Sequence, residues 1–313
     1  VRRNGVGIEL SDGVFGNLEC AITTTDHRWR RSPKTFHFRA DPAAIKVLQV
    51  GNIRFVSLAN NHAMDFEVDG LKDTLRYLDD ASIAHAGAGV DVREAAAPSF
   101  VDIGPLRVAV FAITDNMPEA AASEISPGLC YVDPATGDGG PTASDFARAR
   151  EDGAHLVVVA AHLGPNMVQR PDPVLRAYKR RLAAEGADIV HGHSAHVIQG
   201  VERVGTSLVF HDAGDFVDDY AVDPDLRNDL SFLMLVDASI SGFHRLQLVP
   251  VRLYFAQVRR APPRDADLIC ERMQLLSREF GLTLDRTSEG LEIVLSSGEE
   301  AGARGLAPPR GTA

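Results

Sequence analysis

Apolar and polar positions follow two patterns along most of the chain, amphipathic segments and short apolar runs. The amphipathic segments place apolar residues three or four positions apart, which is the spacing of one face of an α-helix. Their ends carry helix start and stop signals, such as Asp41-Pro42 at one beginning and Gly186 at one end. The pattern predicts four helices, over residues 41–51, 68–80, 173–185 and 266–280.

The apolar runs predict strands at residues 55–59, 108–113, 156–161, 187–190 and 207–210. These runs are too continuous for strands with one face in water, and they are typical of a sheet that is covered on both sides. Two later segments, residues 231–237 and 244–253, have the pattern of successive antiparallel strands. Strands that alternate with helices predict an α/β fold.

The chain has 313 residues, enough for one large domain or two modest ones. We expect a main domain over residues 1–258, followed by a C-terminal helix, a strand and a flexible tail over residues 259–313. Residues 127–141 are rich in Gly, Pro and Asp and predict a long surface loop, and residues 298–313 predict a frayed terminus.

Charge and composition exclude several classes of protein. Lys and Arg total 32 against 43 Asp and Glu, a net charge of -11, which disfavours binding along a nucleic-acid backbone. The apolar runs are too short to span a bilayer, and no basic segment with a following apolar stretch opens the sequence. We therefore expect a cytoplasmic protein without a membrane segment. The three cysteines lack CxxC spacing, which indicates reduced thiols.

Polar groups with metal-binding or acid–base chemistry come directly after most of the predicted strands. Because the carboxyl ends of parallel strands meet at one edge of a sheet, we expect these groups to share a cleft. Neutral imidazole is a common ligand of divalent transition metals, so histidines at strand ends predict a metal site. The four histidines in this position are His62, His162, His193 and His196.

Other residues around these histidines are candidates for supporting roles. Asn61 offers a neutral oxygen ligand, and Glu19 supplies negative charge. Asp65 lies three residues after His62 and either orients that imidazole or caps the helix that follows. Guanidinium groups bind carboxylate and phosphate alike. We expect contacts with an anionic substrate from Asn60, Arg39, Arg170 and Arg227, although Asn60 and Asn61 are also typical of a turn.

Several short motifs occur in a fixed order over roughly residues 12–237. They are Asn17-Leu-Glu19, Leu58-Ala-Asn-Asn-His62-Ala-Met-Asp65, Gly87-Ala-Gly89, His162-Leu-Gly164, Gly192-His-Ser-Ala-His196-Val-Ile-Gln-Gly200 and Gly214-Asp-Phe216. In this combination the chain resembles the CapA family of bacterial capsule-synthesis or poly-γ-glutamate-biosynthesis proteins, which are related to calcineurin-like metallophosphoesterases.

The resemblance implies a four-layer α/β/β/α sandwich, like that of metallophosphoesterases, with a metal-binding cleft. It implies His62 as proton donor to a leaving group, and as metal ligands Glu19, Asn61, His162, His193 and His196. Family members usually carry a Gly-Asp motif that is missing ahead of Asn17. We therefore expect one ion rather than two, and the donor set favours manganese, iron or zinc.

The activity that the resemblance implies is metal-dependent hydrolysis of an anionic substrate. That substrate is a phosphoester or a γ-glutamyl or related amide, in capsule or poly-γ-glutamate-related biosynthesis. Two alternatives stay open at the level of sequence. One is a non-catalytic binding or assembly protein for an acidic polymer, and the other is an amide-forming biosynthetic enzyme on the same scaffold.

Overall fold

The structure, a computed structural model, describes residues 11–294. The frayed terminus predicted at residues 298–313 lies outside this range. The α-helices are α1 (Ile45–Val50), α2 (Glu67–Asp80), α3 (Val92–Ala96), α4 (Ala143–Glu151), α5 (Pro173–Glu185) and α6 (Pro263–Arg278), with 3₁₀ turns at Pro42–Ala44 and Pro118–Ala120. The strands are β1 (Val14–Asn17), β2 (Ala21–Ile22), β3 (Arg39–Ala40), β4 (Ile53–Ser57), β5 (Ala84–Ala86), β6 (Ala88–Gly89), β7 (Ser99–Ile103), β8 (Leu106–Thr114), β9 (Gly128–Leu129), β10 (Leu156–His162), β11 (Ile189–His193), β12 (Val201–Val204), β13 (Ser207–Phe210), β14 (Leu230–Ser239), β15 (Gly242–Tyr254), β16 (Gln257–Arg260), β17 (Asp285–Thr287) and β18 (Gly290–Val294).

Three sheets form the body of the molecule. The largest has the order β12-β13-β11-β10-β8-β7, in which β8, β10, β11 and β13 run parallel and the two edge strands run antiparallel. A three-stranded parallel sheet has the order β1-β4-β5. The C-terminal strands form an antiparallel sheet, β14-β15-β18-β17, with β16 paired to β15.

The layers follow from which faces are buried. Helices α4 and α5 cover one face of the six-stranded sheet, where Phe146 and Leu182 share a core with Val159. The opposite face packs against the three-stranded sheet and the antiparallel sheet. Helix α2 covers the outer face of the three-stranded sheet through Leu71 and Leu75. This is a four-layer α/β/β/α sandwich, which confirms the expected fold class.

The central strand β10 shows why the apolar runs are continuous. Val157 and Val159 face the helices, whereas Leu156 and Ala160 face the three-stranded sheet. Both sets are buried, so no position on the strand has to be polar. The strand ends at His162, where the sheet edge meets the loops.

Most differences from the predicted elements lie at boundaries and in polar segments. Helices α2 and α5 match the prediction to within one residue, but α6 begins at Pro263, three residues earlier than expected. The segment at residues 41–51 splits into a 3₁₀ turn and α1. Helices α3 and α4 and strand β7 were not predicted. Helix α4 buries only Phe146 and Ala149, so its apolar periodicity is weak.

The C-terminal helix α6 shares a core with both large sheets, through Met273 beside Phe232 and Leu208. The division at residue 258 stays a prediction. No helix within residues 11–294 combines the length and apolar character needed to cross a bilayer.

Candidate active site

Two imidazoles meet at the carboxyl ends of adjacent strands. His162 ends β10, His193 ends β11, and the two residues are partners in the parallel register. Their ring centroids are 5.2 Å apart. The Nε2 atom of His162 lies 3.0 Å from the side-chain oxygen of Asn61. The apolar pattern predicts that this strand ends at residue 190, but β11 continues through Gly192 to His193, and this extension sets His193 beside His162.

The ring nitrogens of His193 are arranged as in a metal-binding imidazole. Nδ1 lies 3.3 Å from the carbonyl oxygen of His191, so Nδ1 carries the proton and Nε2 keeps its lone pair. Metal-bound histidines commonly donate their second ring N–H to a carbonyl or carboxylate in this way. Burial lowers the pKa of His162 to about 3 and lowers that of His193 well below its usual value. Both rings are therefore neutral near pH 7.

A second group of titratable side chains surrounds His196. Its Nδ1 lies 2.7 Å from a carboxylate oxygen of Asp215. Burial lowers the pKa of His196, but the hydrogen bond to Asp215 and the nearby carboxylates outweigh burial and raise it to about 9. Burial raises the pKa of Glu19 to about 7. The positive charge of His196 also lowers the pKa values of His62 and His162. The side chains around His196 and the pair of His162 and His193 therefore lie close enough to interact electrostatically.

His62 is oriented by the carboxylate of Asp65. Its Nδ1 lies 2.7 Å from Asp65 Oδ2, which also accepts the backbone N–H of Phe38 at 2.5 Å. Helix α2 begins without a side-chain cap, so Asp65 does not cap this helix. Of the two roles predicted for Asp65, the structure shows the one in which it orients the imidazole of His62. Lys34 is ion-paired with Asp65, and the ring of Phe38 stacks on His62 with centroids 4.0 Å apart.

The loop after β11 holds an unusual backbone. His196 has φ 59 and Ser194 has φ 147, values that side-chain-bearing residues rarely adopt and that cost about 1–3 kcal/mol each. The carboxylate of Asp212 fixes this loop by accepting the N–H groups of Ala195 and Gly214 at 2.8 and 2.9 Å. Strain held in place by buried hydrogen bonds is typical of a functional loop.

The described side chains of the cleft fit a divalent metal by the types of donor atom that they offer, and not by a preformed set of ligands around one point. Within residues 11–294 no group of three or more His, Cys, Asp or Glu side chains converges on one point. Several buried atoms in the cleft nevertheless lack a hydrogen-bond partner among the described residues, a condition that is rare without a bound ion, water or ligand. They are Glu19 Oε1, His162 Nδ1, His193 Nε2 and Asp215 Oδ2.

Asn60 corrects one of the predicted substrate contacts. Its side chain is fully buried, and Nδ2 donates to Asn17 Oδ1 and to the carbonyl of Leu18. Its Oδ1 accepts the backbone N–H groups of His62 and Ala63. All four hydrogen-bonding positions are used, so Asn60 shapes the loop and has no group left for a substrate.

Each arginine predicted to contact the substrate is paired with a carboxylate of the chain itself. A substrate anion would have to compete with these pairs, so the predicted contacts stay predictions. The pairs are Arg39 with Asp26, Arg170 with Glu279, and Arg227 with Asp229.

Some residues of the cleft were not found by sequence reasoning. Lys34 and Phe38 lie in the irregular segment between β2 and β3, where no strand end points to them. Tyr220 packs edge-on against His196, with centroids 5.0 Å apart, from the long loop before β14. Asp215 follows β13 in the Gly-Asp-Phe motif, and that position was the one available signal.

Residues 7–220 match the family model described as "Bacterial capsule synthesis protein PGA_cap". A probable polyglutamine synthesis accessory protein of Mycobacterium tuberculosis is 30% identical over 296 residues, covering 91% of this chain and 77% of that protein. The capsule biosynthesis protein CapA of Bacillus anthracis is 28% identical over 217 residues, covering 68% of this chain and 52% of that protein. Among solved structures, the sulfate thiohydrolase SoxB of Thermus thermophilus is 14% identical, with a TM-score of 0.41, over 67% of this chain and 35% of that one.

Proposed function

The chain belongs to the bacterial capsule synthesis protein family PGA_cap, as the resemblance to CapA proteins indicated, and from this premise we propose that it is a metal-dependent hydrolase. Its substrate in this proposal is an anionic phosphoester or a γ-glutamyl or related amide, in capsule or poly-γ-glutamate-related biosynthesis. One observation carries the proposal. Neutral His162 and His193 stand side by side, with Nε2 of His193 unpartnered and Nε2 of His162 3.0 Å from Asn61 Oδ1, in the same cleft as the His62–Asp65 pair.

Asn61, His162 and His193 would hold the ion, and the unpartnered oxygens of Glu19 and Asp215 would supply negative charge. An amide oxygen and two imidazoles suit manganese, iron or zinc better than calcium. When bound, such an ion supplies Lewis acidity that polarises a phosphoryl or carbonyl oxygen.

His62 would deliver the proton to the leaving group. Asp65 binds Nδ1 of the ring, so Nε2 is the atom left to transfer a proton. Burial lowers the pKa of His62, and the charge of Lys34 lowers it further, whereas Asp65 opposes both. The lowered pKa leaves the ring mostly neutral near pH 7, so Nε2 has to take up a proton from water before it can deliver that proton to an alkoxide or amine, and the resulting imidazolium is a strong acid for this transfer.

The alternative is a non-catalytic protein that binds an acidic polymer. It is favoured by the finding that no three His, Cys, Asp or Glu side chains converge within the described part of the chain. Binding of polyglutamate that survives chelation, without turnover of any substrate, would support this alternative.

The test combines elemental analysis of protein purified without chelator with a panel of phosphoesters and γ-glutamyl peptides. We expect His162→Ala to lose metal and activity together, since loss of a ligand removes the ion. His62→Ala should keep the metal and lose turnover by about 10²–10⁴-fold. His27→Ala is the control, because its side chain is 78% exposed. A His162→Ala variant that retains its metal would contradict the ligand assignment.

A further inference from the structure

A cavity of about 310 Å³ lies between the start of α5 and the loops that follow β10 and β11. Much of its wall is apolar, including Leu163, Val168 and Leu175. None of the histidines within residues 11–294 lines it, so its wall differs from that of the cleft with the candidate metal ligands, although Leu163 and Ala195 adjoin His162 and His196 in sequence. Three charged side chains also line this cavity: the cations Lys179 and Arg170, and Asp172, whose carboxylate caps α5 by accepting the N–H of Val174 at 2.7 Å.

Lys179 is the unusual member of the wall. Its side chain is 1% exposed, and Nζ donates to the carbonyl oxygen of His211 at 2.5 Å. Among the described residues no carboxylate oxygen lies within 4.0 Å of this ammonium group. Asp115 and Asp212 act on it only from a greater distance, and burial lowers the pKa of Lys179 to about 8. The side chain is therefore still mostly protonated near pH 7.

Both distant carboxylates are engaged elsewhere. Asp115 accepts the N–H of Gly164 at 3.0 Å, and Asp212 accepts the N–H of Ala195 and of Gly214. A buried ammonium group has three donors and is normally paired with an anion. Among residues 11–294 Lys179 has one neutral acceptor, and it adjoins the cavity, so the cavity is the place from which an anion can reach it.

We propose that this cavity binds a small carboxylate with an apolar body. Its anionic end takes the free N–H donors of Lys179, and its body packs against Leu163, Val168 and Leu175. Arg170 has 55% of its side chain exposed, which places it at the solvent side of the cavity, but its guanidinium is paired with Glu279, so we assign the binding of the anion to Lys179 alone. The apolar wall favours a carboxylate with a hydrocarbon part over inorganic phosphate, which would leave that wall without a partner.

The experiment measures binding of butyrate, butyramide and inorganic phosphate to metal-free full-length protein at pH 7. Chemical shifts of labelled Leu and Val methyl groups locate the site. Butyrate should bind saturably and shift the methyls of Leu163, Val168 and Leu175, and butyramide should bind at least about tenfold more weakly. The absence of metal keeps the result independent of the proposed hydrolase activity.

Lys179→Met should weaken butyrate binding by about tenfold or more, because it keeps the length of the side chain and removes the charge. Lys72→Met, at an exposed lysine of α2, is the matched control and should bind like the unmodified chain. If Lys179→Met does not fold, Val168→Trp fills the cavity from a position that is 37% exposed and should abolish binding. Equal binding of butyrate and butyramide, tighter binding of phosphate than of butyrate, or unchanged binding in Lys179→Met or Val168→Trp would overturn the proposal.

Discussion

Gly192→Ala tests how the close approach of two strands positions the candidate ligands. A Cβ atom at residue 192 would lie 2.2 Å from the carbonyl oxygen of His211 and 2.5 Å from that of Phe210. Ordinary contacts begin at 3.4 Å, so one backbone must move by about 1.2 Å (3.4 − 2.2). Both obstacles are main-chain atoms, and the end of β13 is held to β11 by the parallel ladder, so no flexible side chain can absorb the change.

Inserting extra atoms into a packed core generally lowers the stability by about 1–3 kcal/mol. We expect a value at the upper end of this range here, because main-chain atoms cannot move aside as a side chain can. We therefore expect a loss of about 3 kcal/mol in the free energy of unfolding. At about 2 °C per kcal/mol for a protein of this size, the melting temperature should fall by about 6 °C. The displacement also moves His193 relative to His162, so metal affinity should fall in the folded variant.

The assay is equilibrium unfolding in urea, followed by metal titration of the folded protein. Gly16→Ala is the matched control, because its added Cβ meets nothing within 4 Å and its φ is not in the left-handed region. It should change the free energy of unfolding by less than about 1 kcal/mol. If Gly192→Ala proves as stable as Gly16→Ala, the steric reasoning about β11 and β13 is refuted.

Two further predictions concern buried ionisable groups. Glu202 is 1% exposed and binds two arginines and His211, so Glu202→Gln should lower the free energy of unfolding in urea by about 3 kcal/mol. The control, Glu279→Gln, removes a carboxylate from an exposed pair and should lower it by less than about 1 kcal/mol. Equal losses in the two variants would contradict this reasoning. Burial lowers the pKa of His211 from 6.5 to about 4, so only the unfolded state gains this proton between those values. His211 should therefore contribute a loss of about 3 kcal/mol in unfolding free energy between pH 6.5 and 4, and the decline in His211→Gln should be shallower than that of the unmodified chain by this amount; parallel profiles would refute this.

The sequence alone was sufficient for elements whose signals are local. Helices α2 and α5 repeat apolar residues at helical spacing, and α5 is bounded by Asp172 with Pro173 and by Gly186. Strand β10 is apolar throughout because both of its faces are buried. These signals depend on residues within about one helical turn or along one strand, so they can be read without knowing the fold.

The neighbourhood of His162 and His193 was also foreseeable, because parallel strands end at one edge of a sheet. The sequence did not reveal that β11 continues through Gly192. It did not reveal either that Asn60 uses all its hydrogen bonds within the chain. Both facts depend on which segments lie beside each residue.

Only the tertiary structure decided the electrostatics of the two sites. Lys34 meets Asp65, and His196 meets Asp215, across loops that no local pattern relates. Lys179 lies on a helix that the sequence predicts well, yet only packing shows that its ammonium group is buried, with no adjacent carboxylate within the described part of the chain. Ionisation and pairing depend on burial and on charges distant in sequence, and both are set only when the layers pack together.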